Sequence, residues 1–478
     1  MTSLLHRKVV SLEALPEGQR LKATLSWWHL IPLGVGAIVG TGIYTLIGVG
    51  ANLAGPAVIV SFLIAGAVCA CAALAYAEVA TMIPASGSAY TYSYVALGEI
   101  IAWVVGWSLI LEYSLVVSTV AVGWSGYAVG FLGAVGVHLP AALTTGFYAG
   151  GLINLPAIAI IAVVAGLLML GARESANVNA VLVAVKIIAL GVFLAVAAPH
   201  FNAANFHPFL PHGVVGPTVG GVRYGVMAAA SIIFFAFYGF DALSTAAEET
   251  KNPGRDLPIG IIGSMAACAL IYVAVAAVAV GAMTYSRFAN SPEPLALILR
   301  GIGEGGVAIG IGAAAVIALP TVILAFLYGQ SRIFFVMARD GLLPAALAKV
   351  SGRGVPVRMT LATAVVVAVL AGLAPLDQIA SLANAGTLAA FTAVALCMLV
   401  LRRREPDRPR VYRTPLAWLV GPAAIAGCLY LFANLQQKTQ LFFAAWNLVG
   451  LACYFIWRAR RGAGDTPREP GTHTRPSA

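Results

Sequence analysis

Apolar stretches of about 20 residues, each able to cross a hydrocarbon core about 30 Å thick, recur from Leu25 to Trp457 between short polar or basic connections. Twelve such runs are predicted, near 28–50, 55–82, 100–130, 151–171, 177–198, 219–248, 257–282, 304–338, 357–373, 382–401, 415–435 and 439–458. None alternates over about 10 residues as a membrane-barrel strand does. Each reads as a helix apolar on all faces, and a chain of such helices belongs in lipid. The predicted fold is an all-α integral membrane bundle of twelve transmembrane helices. Residues 1–24 form a polar lead, 25–460 the transmembrane domain, and 461–478 a basic tail whose Gly, Pro, Thr and Arg content predicts disorder. The first apolar run is long and follows about 25 mixed residues, so it is expected to stay as the first span rather than be cleaved.

Composition sharpens this picture. The chain is 60% hydrophobic and 10% charged, against about 25% charged for a soluble domain. Its formal net charge of +10 raises the question of nucleic acid or acidic partners, and the distribution of that charge answers it. With twelve spans and an inner N-terminus, 23 of the 28 Lys and Arg fall on the inner face, Arg223, Arg287, Arg300 and Lys438 on the outer, and Lys186 inside a span. Positive charge in short loops marks the cytoplasmic side, so both termini are expected there. The basic tails read as topology signals with some attraction to anionic membrane lipid, and no motif for nucleic acid interleaves them. All six cysteines fall within apolar spans and read as small hydrophobes rather than a disulfide framework. His200, His207 and His212 lie in a proline-rich connection and read as loop histidines. No metal site, cofactor or catalytic cluster is expected.

Four glycines within nine residues (34, 36, 40 and 42) interrupt the first span, each costing about 1 kcal/mol in a helix relative to Ala. Close packing of the small-xxx-small kind, which Gly36 and Gly40 satisfy, is one explanation. The other is unwinding at Val39–Gly42, with Gly40 as the break. The freed amides of Thr41, Gly42 and Ile43 then begin an outer half-helix whose positive end suits a carboxylate. Five spans later, an aromatic run ends in Tyr238-Gly239-Phe240-Asp241. Unwinding near Phe237–Gly239 leaves carbonyls that suit an ammonium group. Five is odd, so the second unit enters the membrane from the opposite side. Paired interruptions of this kind point to a substrate site near the bilayer midplane, and donors on one break with acceptors on the other suit a zwitterionic α-amino acid. Asp241 reads either as part of that site or as a partnered core carboxylate.

Lys186 stands nine residues into its span, roughly 13 Å deep, beyond the reach of snorkelling. It is a candidate coupling group, bridging carbonyls of helices 1 and 8 when charged and releasing them when neutral; a structural tether is the alternative. Glu112, in Leu111-Glu112-Tyr113, is equally deep and reads as a proton stop or as a polar bridge between helices. Glu78 lies nearer the inner end of its helix and is expected to pin a loop.

These residues carry a resemblance. The chain resembles the amino acid–polyamine–organocation superfamily, in the bacterial twelve-helix form of its cationic amino acid transporter branch. Its carriers are Gly34–Ile43, Pro84-Ala85-Ser86-Gly87-Ser88-Ala89-Tyr90, Leu97-Gly98-Glu99, Asn205-Phe206-His207-Pro208-Phe209, Phe234–Asp241 running into Ala247-Glu248-Glu249-Thr250-Lys251-Asn252-Pro253, and Arg332 to Pro344. The resemblance spans about residues 25–460. It implies two inverted five-helix repeats (a LeuT-like fold) plus two C-terminal helices. It also implies a substrate carboxylate at the amides of Thr41, Gly42 and Ile43, and an amine at the carbonyls of Ile38, Phe235, Ala236 and Tyr238. Lys186 matches a lysine that replaces a sodium ion, which implies proton coupling; Glu112 and Asp241 match acidic positions of the superfamily. Phe237 and Tyr238 depart from its usual tyrosine–aliphatic pair, which leaves the substrate side chain open between small neutral and cationic. The expectation is proton-coupled import of an α-amino acid at a bacterial plasma membrane. Exchange for a product or polyamine is the alternative, and a channel or a non-transporting nutrient sensor is more remote. An accessory membrane subunit and the oligomeric state are not legible.

Overall fold

The structure, a computed structural model, describes residues 25–83, 87–169, 176–244, 250–289, 291–343 and 357–462. The polar lead, most of the basic tail and Arg173 lie outside the described residues, as do the parts of the resemblance at 84–86, 245–249 and 344.

The first apolar run forms three helical pieces, Trp27–Ile38 (α1), Thr41–Tyr44 (α2) and Leu46–Ala54 (α3). A 3-10 turn at Gly55–Ala57, where Gly55 has φ +65°, leads into Val58–Met82 (α4). Ser88–Ala96 (α5) is short and buried. Glu99–Ala134 (α6) runs for 36 residues, roughly 54 Å. Beyond Ala141–Thr144 (α7) come Leu155–Met169 (α8) and Ala176–Ala197 (α9). A small antiparallel hairpin, Thr218–Val219 (β1) with Val222–Arg223 (β2), precedes Val226–Ile233 (α10) and Phe240–Ser244 (α11). Pro253–Ala282 (α12), Tyr285–Phe288 (α13), Pro294–Gly301 (α14), Gly305–Ala318 (α15) and Pro320–Arg339 (α16) follow. The last four helices are Val357–Leu373 (α17), Leu376–Arg404 (α18), Ala417–Asn434 (α19) and Gln437–Gly462 (α20).

Among the described residues, nine helical stretches are long and apolar enough to cross a membrane. Three of the remaining predicted runs appear as shorter apolar helices, α1, α8 and α17. Large apolar side chains stay exposed on the periphery, Val181, Ile188, Leu270 and Leu448 among them. In lipid such exposure carries no hydrophobic penalty, so contact between helices must come from close packing. Small residues provide it: α1 lies against α12 with Gly34 on Ser264 and Gly260 on Leu30. Indoles fasten α20 to α6, with Trp103 Nε1 donating to the Gly450 carbonyl (2.8 Å) and Trp107 and Trp446 exchanging indole–carbonyl bonds (2.8 and 3.0 Å).

Two helix groups position the site. One gathers α1, α4, α11 and α12; the other surrounds α6 with α8, α16 and α17. On the first group, the fully buried Glu78 of α4 accepts from Arg402 Nε and Nη2 (2.8 and 2.6 Å) and from the Thr414 amide (2.7 Å). Glu78 therefore does pin a loop, the one joining α18 to α19. The cysteines form no disulfide among the described residues, and Cys453 faces outward rather than inward.

Candidate functional site

The first span breaks at two residues. The Val39 amide still donates to Val35 (2.8 Å), but Val39 and Gly40 leave the helix, and the next ladder bond runs from Tyr44 N–H to Gly40 (3.3 Å). Thr41, Gly42 and Ile43 therefore place their amides ahead of the ladder, where a helix start leaves them without an intrahelical acceptor. The break is shorter than the expected Val39–Gly42, with helix resumed from Thr41.

At the other side of the break, two carbonyls of the last turn of α1 are taken by side chains. Lys186 Nζ, 1% exposed, donates to the Gly36 carbonyl at 3.0 Å. A cation at a helix C-terminus is favourably placed for the dipole. Tyr272 of α12 donates its hydroxyl to Ile38 at 2.9 Å. The Ile38 carbonyl, expected to face an amine, is thus already a hydrogen-bond acceptor, with one lone pair left. The outer half is tied down as well: Tyr127 donates to the Tyr44 carbonyl (2.6 Å), and Tyr44 to the Lys186 carbonyl (3.0 Å).

The second break follows α10. A 3-10 turn at Phe234–Ala236 ends with Phe237 N–H on Phe234 (3.1 Å), and the chain then turns through Gly239 at φ +122°. Only glycine adopts that conformation readily, and a Cβ there would stand 2.9 Å from the backbone of Ala37. Gly42 is equally constrained, since its Cβ would lie 2.3 Å from Ala236 Cα. The two interruptions therefore cross backbone to backbone, each glycine admitting the other chain.

Asp241 supports this turn. Its Oδ1 accepts the Gly239 amide (3.0 Å) and its Oδ2 the Tyr113 hydroxyl (3.1 Å). Glu112 differs: it is 1% exposed, and neither carboxylate oxygen has a hydrogen-bond partner among the described residues. Its electrostatic neighbours include Asp241 and the Tyr238 hydroxyl, and that hydroxyl also lacks a partner among the described residues.

Between the breaks lies a cavity of about 10 Å³, room for about one water. Ile38, Gly40, Thr41, Gly42, Phe235 and Tyr238 line it from the two interruptions, and Val116, Val120, Val322 and Phe326 from α6 and α16. Five expected substrate contacts thus share its wall. Ile43 is buried outside it and Ala236 sits behind Gly42. Lys186, Glu112 and Asp241 also stand outside the lining. The valines and Phe326 escape sequence reasoning because an apolar side chain on a fully apolar helix signals nothing.

Two broken helices crossing at one small cavity within a polytopic bundle define a membrane transporter for small molecules. The sequence pattern of the amino acid permease family matches residues 25–457, and the chain belongs to that family, within the superfamily it resembles. It is 44% identical over 457 residues to the branched-chain amino acid permease BcaP of Bacillus subtilis (strain 168), covering 94% of this chain and 96% of the relative. It is 41% identical to the methylthioribose transporter of the same organism, covering 96% and 98%. The vacuolar cationic amino acid transporter 4 of Arabidopsis thaliana is 38% identical, covering 85% of this chain and 68% of the relative. The protein is a permease of the amino acid class and not an enzyme.

Proposed function

We propose that the protein imports an α-amino acid across a bacterial plasma membrane by alternating access, driven by protons. The observation that carries this is the crossing of the two helix interruptions at one cavity. Unladdered amides of Thr41, Gly42 and Ile43 receive the substrate carboxylate, and carbonyls of Ile38, Phe235, Ala236 and Tyr238 receive its ammonium. The side chain then points toward Val116, Val120, Val322 and Phe326. These walls favour an aliphatic substrate, and the name of the Bacillus subtilis permease supports a branched one.

A second reading has its own observation. Glu112 lies one helical turn from Val116 on the same face of α6, buried and without a partner among the described residues. A cationic side chain extending past Val116 would meet that carboxylate. The plant relatives named as cationic amino acid transporters are consistent with this.

Coupling is assigned to Lys186. Its charge-assisted bond to Gly36 holds the end of α1, and loss of the proton weakens that hold. Glu112 and Asp241 are the further proton-handling candidates. The twelve-span count follows from grouping α1–α3 as one broken span and α10–α11 as another, with α4, α6, α8, α9, α12, α15–α16, α17, α18, α19 and α20 as the rest. The two breaks, five spans apart, support inverted five-helix repeats, and the basic loops support cytoplasmic termini.

The test uses purified protein in liposomes, with imposed proton and sodium gradients and labelled leucine, arginine and methylthioribose. Leucine accumulation driven by an inward proton gradient and indifferent to sodium is expected. Arginine accumulation would favour the Glu112 reading, and methylthioribose accumulation would displace the amino acid assignment. Flux only from preloaded liposomes would make the protein an exchanger and Lys186 a tether.

A further inference from the structure

Six arginines crowd residues 402–413, between α18 and the start of α19. Three are spent on internal bonds. Arg402 grips Glu78 with two nitrogens and donates to the Thr414 carbonyl (3.0 Å). Arg410 donates to the carbonyls of Leu401, Pro406, Arg408 and Glu405. Arg408 pairs with Glu405 (2.8 Å) and reaches the Met82 carbonyl at the end of α4 (3.2 Å). Thr414 completes the fastening, its hydroxyl on the Leu74 carbonyl (2.8 Å). The loop is therefore held by α4 rather than draped over it.

Arg403, Arg404 and Arg413 have no such partners. All three are exposed and form no ion pair or hydrogen bond among the described residues. Arg413 adjoins Thr414, whose carbonyl is held by Arg402, so it stands beside the last turn of α18. The same loop and the start of α19 expose apolar side chains: Val411 (72%), Leu416 (75%), Trp418 (63%) and Leu419 (65%). The height is set by packing, since Gly421 of α19 lies on Leu399 and Met398 of α18. One turn earlier in α19, Trp418 is level with the arginines.

We propose that this rigid loop is a binding surface for the headgroup of an anionic phospholipid, with Arg403, Arg404 and Arg413 on the phosphate and Trp418, Leu416 and Leu419 in the acyl boundary. A tryptophan with flanking leucines seeks the membrane interface, and three unpaired guanidiniums at that depth meet phosphates of the same layer. Guanidinium binds phosphate through paired parallel hydrogen bonds. The fastening by Glu78 means that the ordering cost falls on folding, before a lipid arrives. The surface touches α4 directly and α12 through Val411, which packs on Gly254, so a bound lipid bears on the helix group that carries α1.

The experiment reads lipid proximity, independently of transport and of which face is cytoplasmic. Full-length protein is placed in vesicles containing brominated phosphatidylglycerol or brominated phosphatidylcholine at equal mole fraction, and the difference between wild type and Trp418→Phe isolates the Trp418 fluorescence. Stronger quenching by the anionic lipid is expected. The variant Arg403→Gln/Arg404→Gln/Arg413→Gln should lose that preference, worth roughly fivefold per arginine and about a hundredfold in all, and the triple lysine variant should keep much of it. Retention of the preference in a folded glutamine variant overturns the proposal, as does equal quenching of the wild type. Inorganic phosphate abolishing the preference would assign the arginines to a free anion, and the lipid assignment would fall.

Discussion

Lys186 gains its importance from what surrounds it. A lysine in the middle of a span is costly unless its ammonium has carbonyl acceptors, and Gly36 at the end of α1 supplies one. Lys186→Ala is expected to reach the membrane yet lose proton-driven accumulation by about tenfold or more, the scale of a charge-assisted hydrogen bond. Undiminished accumulation by that variant in energised vesicles would remove the lysine from coupling. Tyr272 acts on the adjacent stretch through a neutral bond to Ile38. Tyr272→Phe should weaken substrate affinity about fivefold, as loss of about 1 kcal/mol implies; equilibrium binding of labelled substrate checks this, and unchanged affinity would confine Tyr272 to packing. Lys186 was legible in the sequence because a lone charge in an apolar run has few explanations. Tyr272 was not, since its hydroxyl has a role only once α12 lies against α1.

Among the elements, the interruptions decide the site. Gly42→Ala places a methyl group 2.3 Å from Ala236 Cα, and relieving that clash requires the two breaks to separate. The variant is expected to lose substrate binding while the remaining spans insert normally, at an overpacking cost of about 1–3 kcal/mol; binding at wild-type affinity would show that the crossing is not needed. Gly40 and Gly239 pointed to these breaks because they stand in clusters, Gly40 among four glycines in nine residues and Gly239 between an aromatic run and Asp241, although close helix packing is the other use of glycine in such spans. The cavity walls of α6 and α16 were silent for a different reason. Lipid and protein interior are equally apolar, so no periodicity separates Val116 or Val322 from a lipid-facing neighbour. The partner of Glu78 was hidden by distance along the chain, 324 residues away at Arg402. Glu78→Ala removes the carboxylate that holds the half-buried Arg402 and the Thr414 amide and should lower stability by about 1–3 kcal/mol, seen as a clear fall in the thermal unfolding temperature in detergent. An unchanged unfolding temperature would mean that the loop is held by its other contacts.

For the molecule as a whole, the central cavity admits about one water, so no amino acid enters or leaves without movement. Opening it would part the first broken span from α6 and α16, at the contacts of Thr41 with Gly123 and of Gly40 with Val322. Lys186 is not part of the cavity lining and holds the Gly36 carbonyl of α1, so its effect on substrate is expected to pass through that helix. On the proposed function, main-chain groups of the two broken helices read the α-amino and α-carboxyl ends of the substrate. Competition binding to purified protein tests this most directly, using the transported amino acid against its N-acetyl and methyl ester derivatives. Each derivative is expected to lose competition by more than about tenfold, with its side chain untouched. Derivatives that compete as well as the free amino acid would contradict it.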